Sequence, residues 1–130
     1  MRLILAAALA ALGTVAAADP LEGTWQTARD DDGNFGFVQV APCGGALCGA
    51  LVQSFGPDNQ PLADSPNLGR QIIWDTVANG DGSYTGRVYS PDRDQEYRSR
   101  LVLSGDQLSV SGCILGGAVC REGGTWVRVR

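Results

Sequence analysis

Gln95 to Cys113, QEYRSRLVLSGDQLSVSGC, decides the fold class. Tyr97, Ser99, Leu101 and Leu103 fall on one side of a two-residue period, with Arg98 and Arg100 on the other. Beyond Gly105-Asp106 the pattern resumes, Leu108 and Val110 alternating with Gln107, Ser109 and Ser111. Successive side chains of a strand point to opposite faces, so this stretch reads as two strands joined by a tight turn. Each has one wet face, which is the mark of an antiparallel sheet.

The same period recurs along the chain. Strands are expected at 23–27, 35–41, 47–54, 71–75, 83–89, 95–103, 107–113 and 125–130, separated by glycine-rich turns. Pro42 to Gly45 should turn the second strand into the third, and NGDGS at 79–83 should make a two-residue hairpin turn. Residues 56–69, GPDNQPLADSPNLG, hold three of the six prolines and no apolar period, which makes them the one long loop. Outside the first 18 residues nothing sustains a helical period. The prediction is all-β: a small eight-stranded antiparallel up-and-down barrel formed by a single domain, 19–130. Closure removes the open edges, and an eight-stranded interior is either filled by side chains or holds one small ligand.

The chain has 130 residues, 14 acidic and 10 basic, for a formal net charge of −4. All the basic residues are arginine, and lysine and histidine are both absent. That excludes Ser-His-Asp and Cys-His catalysis, imidazole metal ligands, Schiff-base chemistry and the P-loop lysine. A pI near 4.6 with no basic run argues against a nucleic-acid partner.

Residues 1–18 read as a signal peptide. Arg2 is followed by an apolar run from Leu3 to Val15, then by the small residues Ala16-Ala17-Ala18. The run is short for a membrane span, and no later stretch is long enough to make one. Cleavage after Ala18 removes 18 residues and leaves 112, with nine arginines against fourteen acids and a formal charge of −5. The expected location is periplasmic or extracellular.

Cys43, Cys48, Cys113 and Cys120 then read as a disulfide framework. Their spacings, CGGALC and CILGGAVC, favour local bridges Cys43–Cys48 and Cys113–Cys120, each interval carrying two glycines that let the ring close. A four-thiolate zinc site is the rival, and it lacks the C-x2-C knuckle. No cofactor or metal is expected.

Two acidic features invite chemistry. Asp30-Asp31-Asp32-Gly33-Asn34 fails the calcium-loop template at Phe35, where glycine is required, so a solvated turn is expected. Asp92, Asp94 and Glu96 alternate, and on a strand they would share a face with Arg93, Arg98 and Arg100 nearby, as an ion-pair face. Phe37, Trp74, Tyr84, Tyr89 and Tyr97 are the candidate lining of a ligand pocket, with core packing as the alternative role. A pocket would open between loop 56–69 and the hairpin at 90–95.

Gly23-Thr24-Trp25 on the first strand resembles the Gly-x-Trp signature of lipocalins and their relatives. That resemblance implies that Trp25 plugs one end of the barrel, with Arg128 of the last strand packed over it and Gly23 beside it. With Pro42 to Gly49, Gly69 to Trp74, Gly82 to Pro91, Leu108 to Cys113 and Thr125 to Val129, the chain resembles one secreted bacterial family, domain of unknown function 2147. The resemblance implies a small lipocalin-like, or calycin-like, barrel outside the inner membrane and brings no activity with it. The family's Tyr-Asp-Pro-x-x-Gly segment stands here as Tyr89-Ser90-Pro91-Asp92-Arg93-Asp94, so the turn glycine is missing.

The function expected is a non-enzymatic exported module that binds a small apolar or amphipathic ligand. The alternative is a cell-envelope structural or protein-interaction module with a filled barrel, whose partner would be an envelope protein.

Overall fold

The computed structural model describes residues 18–130; the leader read at 1–18 lies, but for Ala18, outside the described residues. Eight strands follow one another: β1 (Gly23–Gln26), β2 (Phe35–Cys43), β3 (Ala46–Phe55), β4 (Gln71–Ala78), β5 (Ser83–Ser90), β6 (Gln95–Ser104), β7 (Gln107–Ile114) and β8 (Val119–Arg128). Each pairs antiparallel with the next, and β1 pairs with β8 to close the barrel. The expected all-β, up-and-down architecture is the one observed.

Inside, the period-two pattern does what hydrophobic burial requires of it. Ser99 and Leu101 are buried and Tyr97 and Leu103 half-buried, while Arg98 and Arg100 are exposed. Register carries that face around the barrel: Tyr84, Gly86 and Val88 lie opposite Leu101, Ser99 and Tyr97, and Val110 and Gly112 lie opposite Leu101 and Ser99 from the other side. Glycines on this face are packing positions. A Cβ on Gly36 would collide with Leu51, and one on Gly49 would stand 2.8 Å from Val38. Larger neighbours fill what these glycines leave.

The pattern misplaces several boundaries, for physical reasons. β8 begins at Val119, six residues before the expected start, because Gly123 and a bulge at Val110/Ser111 break the alternation. β4 continues past Asp75 to Ala78, since Asp75 takes a φ of 51° within a register shift that interrupts the period. β2 runs through Pro42 to Cys43, leaving Gly44 and Gly45 as the turn, with φ of 61° and 91°. The connection after β4 is four residues, 79–82, in place of the expected two. Asp92 and Asp94 lie in the β5–β6 turn and not on a strand, so they share no strand face with Glu96. Arg87 pairs with Glu96 at 3.9 Å; among the described residues Arg93, Arg98 and Arg100 make no ion pair.

Candidate functional site: the two ends of the barrel

The chain alternation puts the β2–β3, β4–β5 and β6–β7 turns at one end, together with both ends of the described chain. Trp25 lies there with no exposure, and its indole N–H donates to the Leu21 carbonyl oxygen at 2.9 Å. The Arg128 guanidinium sits 4.4 Å from the centre of the Trp25 ring and donates to the carbonyl oxygens of Glu22 (2.9 Å) and Pro20 (2.6 Å). Gly23 has a φ of 127°, and a Cβ there would stand 3.0 Å from an Arg128 nitrogen. Tyr84 closes the same end from across the barrel, its hydroxyl donating to Asp19 at 2.6 Å. Burial, then that bond to a carboxylate, pushes the Tyr84 phenol well above its ordinary value, so it stays a donor. Gly23, Trp25 and Arg128 therefore come together at one end of the barrel.

Loops 27–34, 56–70, 91–94 and 115–118 gather at the other end. The long loop and the β5–β6 hairpin, expected to flank a mouth, are both here. Asp30 Oδ1 accepts from the backbone N–H of Asp32 and of Asn34, which makes the acidic run a self-bonded turn. Arg29 crosses from it to the long loop, stacking over Phe35 at 4.6 Å and bonding Asn59. Asp92 faces this turn, and its carboxyl is raised by partial burial and by Asp30, Asp31 and Asp32.

The five aromatic candidates are not brought together. Phe37 stands on the β2 face opposite Val38 and packs on Phe55, ring centres 4.9 Å apart. Trp74 pairs with Arg87, on the other face from Ile73 and Val88. Tyr89 is buried outside the barrel wall opposite Glu96, with the Arg70 guanidinium 3.5 Å over its ring and its hydroxyl donating to Asp94 at 2.7 Å. The period-two rule was available for all three: Phe37 next to Val38, and Tyr89 next to Val88, cannot share their neighbour's face. Only Tyr84 and Tyr97 face inward, one at each end. Two surface grooves, of about 250 Å³ beside Arg87 and Arg98 and about 370 Å³ beside Asp19 and Pro42, are lined by none of the five.

A residue not singled out from the sequence occupies the middle of the inner wall. Ser99 is 1% exposed, and its hydroxyl has no hydrogen-bond partner among the described residues. The buried Thr76 and Ser83 hydroxyls are served: Thr76 donates to the Trp74 carbonyl oxygen, and Ser83 donates to Asp81. Gly86 and Gly112 flank Ser99 on the neighbouring strands, and the β4 backbone fills the place of a Gly86 Cβ, with the Trp74 and Asp75 carbonyl oxygens 2.7 Å from it. Tyr97, toward the looped end, lies against Gly112, its ring 3.2 Å from where a Gly112 Cβ would be. The signal in the sequence was a serine on the apolar side of the clearest strand.

Cys43–Cys48 and Cys113–Cys120 are both bonded, at opposite ends of the barrel, with Cα separations of 5.6 and 4.0 Å. No thiol remains for zinc, and two disulfides suit an oxidising environment. Among the described residues no helix is long and apolar enough to cross a membrane.

The barrel is similar to a solved structure described as "Protein HP1028 from the human pathogen Helicobacter pylori belongs to the lipocalin family". The TM-score is 0.64 at 19% identity, over 85% of this chain and 83% of that one, which is a likeness of fold. No curated protein matches the sequence. Residues 23–128 match the model of the family described as "Uncharacterized protein conserved in bacteria (DUF2147)". The chain, from its Gly-x-Trp strand to the arginine that packs over it, belongs to that family.

Proposed function

We propose that this is an exported, non-enzymatic binding protein, matured by removal of residues 1–18, that takes one small amphipathic molecule through the looped end of the barrel. The observation that carries this is the unpartnered Ser99 hydroxyl. Leaving a buried hydroxyl without a partner costs about 1–3 kcal/mol, and native interiors rarely keep one without a use. Here it sits in an apolar barrel beside two glycines, which matches a ligand with an apolar body and one hydrogen-bonding atom. Rotation of the Tyr97 ring away from Gly112 admits it. Gly23, Trp25 and Arg128 seal the opposite end, leaving one way in.

Native mass spectrometry of protein purified from its own host, with a straight-chain alcohol series followed by NMR, tests this. Resonances of Gly86, Ser99 and Gly112 should shift together with the ligand. Ser99→Ala should weaken alcohol binding about fivefold to tenfold while stabilising the empty protein by about 1 kcal/mol. Consistently empty protein, with no shift at these three residues, would discard the proposal.

The second reading is a filled barrel that presents its loops to an envelope protein. The tight packing around Gly36, Gly49 and Gly112 supports it. On that reading Ser99→Ala changes stability alone.

A further inference from the structure

Residues 19–22 close on themselves at the end of the barrel where Trp25 lies. The Glu22 N–H donates to the Asp19 carbonyl oxygen at 2.9 Å, and the Asp19 N–H donates back to the Glu22 carboxylate at 2.9 Å. Asp19 Oδ1 accepts from the Leu21 N–H at 2.8 Å and from the Tyr84 hydroxyl at 2.6 Å. Leu21 gives its carbonyl oxygen to Trp25, and Pro20 and Glu22 give theirs to Arg128. The Asp19 nitrogen thus has a fixed place in a fixed turn. Asp19 and Glu22 are half-buried, while Ala18 just before them is exposed.

The charges around that nitrogen are unbalanced. The Glu22 carboxylate receives it, and the carboxylate of Asp19 itself lies beside it. From β5 comes only the Tyr84 phenol, which stays a donor. From β8 comes Arg128, whose guanidinium already pairs with Asp106 at 3.1 Å. The groove that Asp19 borders on the β2–β4 side is lined by Pro42, Leu47, Thr76 and Val77 among others, and Asp19 is its one charged residue. In an uncut chain the Asp19 nitrogen is a neutral amide. In a chain cut after Ala18 it is an ammonium, with a full positive charge and three donors.

We infer that the α-ammonium group freed by removal of residues 1–18 is a working part of this end, ion-paired with Glu22, and that the cut supplies the cation that the Asp19–Glu22 turn lacks. The inference rests on the maturation reading proposed above. An amide makes the same bond without the charge, so the cut sets the strength of the turn and not its geometry; bonds between ionised partners are roughly twice as strong as neutral ones. Trp25, Tyr84 and Arg128 all bond to this turn, so a chain that keeps its leader holds that end of the barrel more loosely. Composition makes the amine singular. With no lysine, a chain cut after Ala18 has one primary amine. With no histidine and no free cysteine, that amine is also the one group whose ordinary value, about 8, lies between about pH 5 and pH 9.

The full chain, exported by a bacterial host and recovered without its leader, is the sample, and its intact mass gives its first residue. A product beginning anywhere but at Asp19 overturns the inference together with the maturation reading. With Asp19 first, an amine-reactive ester followed by intact mass tests the ion pair alone, because only the neutral amine reacts. At about pH 8 the folded protein should label about fivefold to tenfold more slowly than Glu22→Gln, and than itself unfolded in urea. The midpoint of rate against pH should lie above about 8 in wild type and return to it in Glu22→Gln. An ammonium whose folded value is raised stabilises fully below its unfolded value, about 8, and loses that contribution as pH rises through the folded one. The wild-type melting temperature should therefore fall toward that of Glu22→Gln across about pH 8 to 10. Where Glu22→Gln does not fold, the urea-unfolded wild type is the reference. A folded wild type that labels at the reference rate, with its midpoint at about 8, overturns the inference and leaves the maturation reading standing.

Discussion

Gly23 meets two separate constraints, a φ of 127° and an Arg128 nitrogen at 3.0 Å from any added Cβ. Gly23→Ala should therefore destabilise by about 1–3 kcal/mol, read as a lowered urea midpoint with unchanged slope. Asp106 gives a pH signature at the same end. Hydrogen bonds from Arg130 and then Arg128 hold its carboxyl below the ordinary carboxylate value. A depressed folded value means stability that is full above the unfolded value of about 4 and fades as pH falls through the folded one. Wild type should thus melt above Asp106→Asn at neutral pH, by a gap that closes in acid. A gap independent of pH would show that the arginine contacts, and not the charge, matter. At this scale the meeting of Gly23, Trp25 and Arg128 was legible in the sequence, because Gly-x-Trp is a local motif. Ser99 was not, since a lone serine on an apolar face shows its missing partner only once the neighbouring strands are in register.

The β5–β6 hairpin shows how an element can keep its geometry after losing the residue that usually supplies it. Its four-residue turn, 91–94, places Asp94 at a φ of 51°, where the family pattern has glycine. Aspartate tolerates the left-handed region better than most residues, and the Tyr89 hydroxyl donates to its carboxylate. That bond also raises the Tyr89 phenol. Asp94→Gly should be nearly neutral, gaining backbone ease and losing one bond. Asp94→Ala loses both and should cost about 1–2 kcal/mol in equilibrium unfolding. Strand identity was readable wherever alternation ran unbroken, as from Tyr97 to Ser111. It failed at Asp75 and at Gly123, where a bulge inserts a residue and the period slips. Phe37, Trp74 and Tyr89 were misassigned because aromaticity was weighed above parity; in a thin barrel the outer wall also carries large side chains.

Over the whole molecule the ladders are unequal. β2 and β3 pair from Phe35↔Phe55 to Cys43↔Ala46 with one shift, between Phe37 and Val38, whereas β1 and β8 meet only at Trp25↔Arg128 and Gln26↔Val127. The seam is reinforced by the Val129 amide donating to Thr24 and by Arg128 reaching Pro20 and Glu22. Native-state hydrogen exchange should show the β1 and terminal β8 amides opening well before those of β2, β3 and β6, and Arg128→Met should widen that difference. Uniform protection around the barrel would contradict a weak seam. Closure itself could be anticipated from strand number, but its strength depends on register, which composition and period do not report.

The clasp between Arg128 and residues 20–22 places the two ends of the described chain side by side. A ring sealed in this way has no privileged beginning. A short linker from Arg130 to Asp19, with the backbone cut at Gly105-Asp106, writes the same barrel as a circular permutant in which the present seam becomes an ordinary hairpin. The order of the strands in the gene is then one of several equivalent ways to spell this wall.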